Sequence, residues 1–248
     1  MTNQRLPLQR TMLLVDTERF SDRDDVQQAY LRRMLYGIVD RVLLGAGIDQ
    51  TLRLRADRGD AIMELVDPAV PLTTLLRALL TEVPAELHAV NRMAASSAQI
   101  RLRAVLATGF VAVDEFDGWV GTDLNQACRL LDADPLRAAL RERADDFALC
   151  VSESVHTGVV QHGHLGIPAD QFHVIDVLSK NGPLRAWLHG PLPTAGPTPE
   201  SAPPPSPAAA PPPPSATAPE IDFRGTNHGV VANRIEGAIT FRGSREGR

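Results

Sequence analysis

Residues 8–42 read LQRTMLLVDTERFSDRDDVQQAYLRRMLYGIVDRV. The run Met12-Leu13-Leu14-Val15 has the length and composition of a buried strand, and it stops at Asp16. After a polar stretch, Val26, Tyr30, Met34, Ile38 and Val42 recur at the spacing that lays one face of a helix on a core. A strand followed by a helix therefore opens the domain. Outward from there, 52–56 and 61–66 read as two strands joined by the polar turn Asp57-Arg58-Gly59-Asp60. Leu72, Leu75, Leu76, Leu79, Leu80 and Val83 mark a second amphipathic helix, with an interruption predicted near Pro84.

The pattern then repeats. Ile100, Leu102, Ala104 and Leu106 alternate with Arg101 and Arg103, and 110–113 resumes after Gly109, which predicts another strand pair before a helix over 122–131. Residues 147–151, 172–177 and 184–188 supply further strands. This order predicts an α/β domain with a ferredoxin-like arrangement: a central, mostly antiparallel sheet carrying helices on one face.

Composition limits what the domain does. The chain has 248 residues, a formal charge of -5 and scattered arginines, which gives no basic stripe for nucleic acid or an anionic membrane. No apolar run reaches the roughly 20 residues that span a bilayer, and 1–10 has no secretion-signal core, so a cytoplasmic location is expected. Cys128 and Cys150 lie among apolar residues and read as inert buried thiols. Thirteen of the 20 prolines fall between Pro191 and Pro219. The predicted organisation is a globular domain over 1–189, a disordered Pro/Ala-rich linker over 190–219 and a short β-prone segment over 220–248.

Two acids stand at strand ends: Asp16 closes the first strand, and Asp60 follows Gly59 at the hairpin turn. Oxygen donors so placed suit Mg²⁺, which takes one or two carboxylates plus phosphate oxygens; each acid also fits a turn or helix cap. Asn125 and Arg129 are four apart in the predicted helix and so share one of its faces. His156, His162 and His164 form a local cluster that reads as surface histidine rather than a metal site.

In order, LLVDTERFS at 13–21, RGDAIMEL at 58–65, GWVGTDLNQACRLLDA at 118–133 and CVSESV at 150–155 resemble the catalytic domain of the class III nucleotidyl cyclases, the adenylyl and guanylyl cyclases. The resemblance runs over about 10–188. It implies conversion of a nucleoside triphosphate to a 3′,5′-cyclic nucleotide and pyrophosphate in a signalling role. It further implies that Asp16 and Asp60 hold two Mg²⁺ or Mn²⁺ ions, that Asn125 positions the ribose, and that Arg129 stabilises charge on the phosphates. In the family the acids and the Asn/Arg helix of one site come from different protomers, so a head-to-tail homodimer is implied.

The chain departs from the family pattern at defined places. Arg19 stands where the first motif usually has glycine. Ala56 and Gly118 occupy the two positions that read the purine base, and the only lysine is Lys180; Arg55 or Asp57 is the candidate substitute, each equally readable as a solvated hairpin residue. The alternative these departures leave open is a catalytically degenerate, nucleotide-binding or scaffold domain. Trp119 fits either a dimer seam or the core of its own domain. The tail FRGTNHGVVANRIEGAITF, 223–241, is similar to bacterial amyloid signalling motifs, which implies a protein partner with a matching motif; a plain β-prone or disordered end is the other reading.

Overall fold

A computed structural model describes residues 6–179 and 182–194. The predictions for the remainder of the linker and for the tail fall outside the described residues.

The predicted elements appear in order, and β5, α4 and α5 are additional: β1 (Leu8–Thr17), α1 (Asp25–Gly45), β2 (Arg53–Asp57), β3 (Ala61–Val66), α2 (Leu72–Asn91), β4 (Leu102–Val113), β5 (Trp119–Val120), α3 (Thr122–Leu131), α4 (Asp134–Glu142), β6 (Phe147–Ser152), α5 (Glu153–Gly158), β7 (Phe172–Ser179) and β8 (Gly182–His189). The sheet runs β2-β3-β1-β4-β6-β8-β7, with β5 on the end of β4. Every pairing is antiparallel except β4 with β6. The mostly antiparallel α/β fold is as predicted.

Helices cover both faces of the sheet rather than one. Leu13 and Val15 pack with the α1 stripe Leu31, Leu35, Ile38 and Val42 and with Leu75, Leu79 and Val83 of α2. Met12 and Leu14, pointing the other way, pack with Leu124, Ala127 and Leu130 of α3 and Leu136, Ala139 and Leu140 of α4. Continuous apolar runs such as Met12 to Val15 are what two covered faces require.

Two further predictions are corrected. α2 continues through Pro84. The proline is exposed while Val83 and Leu87 on either side are buried, so the core stripe outweighs the roughly 3 kcal/mol that an interior proline costs. β4 is one strand of 12 residues rather than a pair. Gly109 is there for clearance: a Cβ would meet the Asp123 carboxylate at 2.3 Å, and that carboxylate accepts the Phe110 N–H at 2.7 Å, pinning the start of α3 to the strand.

Candidate functional site

Asp16 lies opposite Ala61 on β3 and Arg103 on β4, at the end of the central three strands. The Thr17 N–H donates to the Asp60 carbonyl at 3.1 Å, so the two predicted metal ligands stand side by side at the ends of adjacent strands. Their surroundings differ. Asp60 is exposed, whereas Asp16 is 7% exposed and pairs through Oδ2 with Arg103. Strand alternation from Met12 and Leu14 puts Asp16 on the α3–α4 face. Arg103 has its pKa pushed down by burial and by the like charges of Arg137 and Arg141 on α4, and its Nε has no partner.

The segment after Asp16 is tied down by the Glu18 N–H, which donates to the Arg101 carbonyl at 2.9 Å, and by the Arg101–Glu18 ion pair at 2.9 Å. Arg19, where the cyclase pattern has glycine, adopts the left-handed conformation that glycine favours, φ 55° and ψ 35°. The Arg19 guanidinium is bound to Asp22 at 2.8 Å in solvent.

On α3 the buried residues are Leu124, Ala127, Leu130 and Leu131. Asn125 is exposed, Arg129 is half-buried one turn on, and neither side chain bonds to another described residue. Helix geometry gives both the same outward face. Arg129 lines an open groove with Asp132, Pro135, Asp176 and Leu178. Neither side chain bonds Asp16 or Asp60 within one chain. The start of α3 is fastened at Phe110 on β4, and the helix runs back toward the start of that strand: Asp132 at its C-terminal end acts electrostatically on Arg103, and Arg58 of the hairpin turn on Cys128.

The positions expected to read the base offer little. Ala56 packs against the α3–α4 core. Arg55 and Asp57 point to the opposite face and are occupied: Arg55 bonds Glu64 and Asp40, each at 2.6 Å, and Asp57 pairs with Arg32 of α1 and accepts the Gly59 N–H at 2.8 Å. Neither is free to read a base from the face that holds Asp16. Gly118 closes a turn in which Asp114 accepts the Phe116 and Gly118 N–H groups at 2.8 and 2.7 Å. A Cβ at Gly118 would come within 2.5 Å of that carboxylate.

For a divalent cation the donor chemistry fits: Asp16 and Asp60 are hard oxygen donors, and only Oδ2 of Asp16 is taken by Arg103. Among the described residues there is no group of three or more His, Cys, Asp or Glu that could hold a metal. The His162 and His164 rings are 6.1 Å apart with no third ligand in the described residues. Cys150 is buried, with its thiol pushed up to about 12 by burial, and Cys128 is raised for the same reason. Trp119 is partly buried against the α3–α4 core. No helix among the described residues is long and apolar enough to cross a membrane.

Sequence reasoning missed Arg103, because an arginine alternating with apolar residues reads as a solvated face. The available signal was the stripe Leu136, Ala139 and Leu140, which needs a second sheet face to cover.

No protein-family model and no curated protein matches the chain. Its fold is similar to that of solved structures. The guanylyl cyclase Cya2 is 16% identical, with a TM-score of 0.53, over 75% of this chain and 93% of that one. An adenylate/guanylate cyclase/hydrolase from Silicibacter pomeroyi is 21% identical, with a TM-score of 0.52, over 75% and 98%. A bacterial light-regulated adenylyl cyclase is 15% identical, with a TM-score of 0.50, over 73% and 89%. The chain thus has the fold of adenylyl and guanylyl cyclase catalytic domains.

Proposed function

We propose that this domain is a nucleotidyl cyclase acting as a head-to-tail homodimer, each site taking Asp16 and Asp60 from one chain and Asn125 and Arg129 from the other. The observation that carries this reading is the split: two acids share one sheet end, while the amide and the guanidinium face outward from α3 and bond neither acid nor any other described residue of their own chain. A second copy is what brings the halves together.

In this reading the 3′-hydroxyl oxygen of a nucleoside triphosphate attacks the α-phosphorus, and pyrophosphate leaves. Asn125 holds the ribose so that the oxygen lies in line, and Arg129 neutralises charge developing on the phosphates. Asp16 and Asp60 are the residues that would hold two Mg²⁺ or Mn²⁺ ions; such ions activate an attacking oxygen and neutralise the leaving group. With no side chain at Gly118 and none beyond Cβ at Ala56, the chain's own residues leave the choice of base weakly constrained.

The test is complementation. Asp60→Ala and Arg129→Ala homodimers are each expected to lose turnover by about 10²–10³-fold, as removal of a charge-stabilising group commonly does. In a random mixture half the dimers are mixed and each has one intact site, so activity should return to about a quarter of wild type. Product is read by mass spectrometry with each of the four triphosphates and Mg²⁺ or Mn²⁺. Failure of the mixture to recover, with dimers confirmed, would remove the two-chain site.

A second reading, a nucleotide-binding or scaffold domain without turnover, is favoured by the Asp16–Arg103 pair, which already neutralises one metal ligand. Triphosphate binding by calorimetry, unaffected by Asp60→Ala and without product, would select it. On sequence alone, the spacer and the tail add a tether and a motif for recruiting a protein partner with a matching segment.

A further inference from the structure

We infer that Arg103 is a resident counter-cation for Asp16 that makes metal binding at this acid conditional on the arrival of the triphosphate. The inference rests on the reading of Asp16 as a metal ligand and adds how that site is controlled.

The two side chains are 11% and 10% exposed, so each charge has been taken largely out of water. Among the described residues Asp16 is the only acid paired with Arg103. Asp132, another acid that acts on it, is spent on Arg137 at 2.7 Å, while Arg137 and Arg141 add like charge. The guanidinium keeps an unpartnered Nε, so its planar fork is only partly used. Asp60, next door, is exposed and bonds to no cation among the described residues.

A divalent ion at Asp16 in this chain meets two costs. It brings positive charge beside a guanidinium in a site sheltered from water, where like charges repel several times more strongly than in bulk solvent. If it displaces Arg103, it strands a largely buried cation near Arg137 and Arg141. A triphosphate removes both costs. Its oxygens accept from the terminal N–H groups of the guanidinium, and its negative charge offsets the sum of guanidinium and metal. Metal and triphosphate therefore bind with positive coupling, and Arg103 is the group through which they couple. A lone metal ion finds the position already filled, so the empty enzyme does not store metal.

The test measures Mn²⁺ binding to the full chain by the loss of the free-ion electron paramagnetic resonance signal. It is run with and without a 3′-deoxynucleoside triphosphate, which lacks the attacking hydroxyl, against a protein-free control. Wild type should bind Mn²⁺ alone weakly and gain with the triphosphate. Arg103→Gln should bind Mn²⁺ alone about 10-fold more tightly and lose most of the gain. Arg103→Lys keeps the charge without the fork: it should bind Mn²⁺ alone as weakly as wild type yet couple less, and it carries the test if Arg103→Gln fails to fold by circular dichroism. Equal or weaker Mn²⁺ binding in Arg103→Gln, or full coupling in Arg103→Lys, with binding abolished in Asp16→Asn, would overturn the role of Arg103 and leave Asp16 as a ligand. Mn²⁺ binding that ignores both Asp16→Asn and Asp60→Ala would overturn the metal reading as well.

Discussion

Glu64 and Asp16 are both buried acids on the central strands, on opposite faces of one sheet, and they are balanced differently. Glu64 is 0% exposed, and its Oε1 accepts from Arg53 at 2.7 Å and Arg55 at 2.6 Å. Both arginines also reach Asp40 of α1, at 2.7 and 2.6 Å, and Arg55 lies over the Tyr36 ring, 5.0 Å from its centroid. Two acids and two guanidiniums form a closed set that ties α1 to the β2–β3 hairpin. Asp16 has one partner, reached through one oxygen, at a strand end beside an exposed acid. The charges of that set are paired off within it, although Glu64 Oε2 and Arg53 Nε keep no hydrogen-bond partner. Asp16 has a single counter-charge, and one pair opens more readily than a network of four.

The sharpest way to break this contrast is Glu64→Leu. It leaves Arg53, 7% exposed, and Arg55 with only Asp40, and stranded buried charge of this kind costs about 3–5 kcal/mol. Urea unfolding should report that loss while Mn²⁺ binding per folded molecule stays unchanged. A loss under about 1 kcal/mol would mean that Asp40 alone holds both arginines and that the set is not closed.

Asp16→Asn comes next. The amide still accepts from Arg103, so the cost is that of weakening one charge-assisted bond, about 1–3 kcal/mol. Added Mn²⁺ with triphosphate should raise the melting temperature of wild type and leave that of Asp16→Asn unmoved. Equal protection of both proteins would place the cation elsewhere.

Much of the contrast was legible in the sequence, and the part that was not has a physical cause. The strand run ending at Asp16, the polar turn before Asp60 and the helix carrying Asn125 and Arg129 all show the periodicity of the elements they form. What stayed hidden depends on which face an element covers. α4 has no counterpart in the predicted order; its proline falls in the first turn, where it is tolerated. The predicted single helical layer leaves the second face of the sheet uncovered, and Arg103 lies on that face. Gly109 read as a strand break because close approach of a side chain from another element leaves no local signal. Pairings across the sheet, such as Arg55 with Glu64 and Asp40, follow register, which the sequence states only once the hairpin is drawn.

His156 completes the series as a polar group without a counter-charge in contact. Its ring stacks on Trp187 at 4.0 Å with planes 6° apart, and its Nδ1 is buried without a partner. Burial pushes its pKa below the usual histidine value, with Glu153 opposing only in part. The folded state therefore resists protonation more than the unfolded state does. The stability this group contributes is fully present above its unfolded pKa of about 6.5 and is lost as pH falls through that value toward the lower folded one. His189 is lowered too, by burial and by Arg143, and acts in the same window. His156→Phe keeps the stack and removes the titration, so the fall in stability between about pH 7 and pH 5 should flatten in part, with the His189 share remaining. The effect should be smaller than that of either acid substitution, because the change loses no ion pair. An unchanged slope in His156→Phe would mean that water already reaches Nδ1 in the folded state, which would take His156 out of the series and leave Glu64 and Asp16 as its two members.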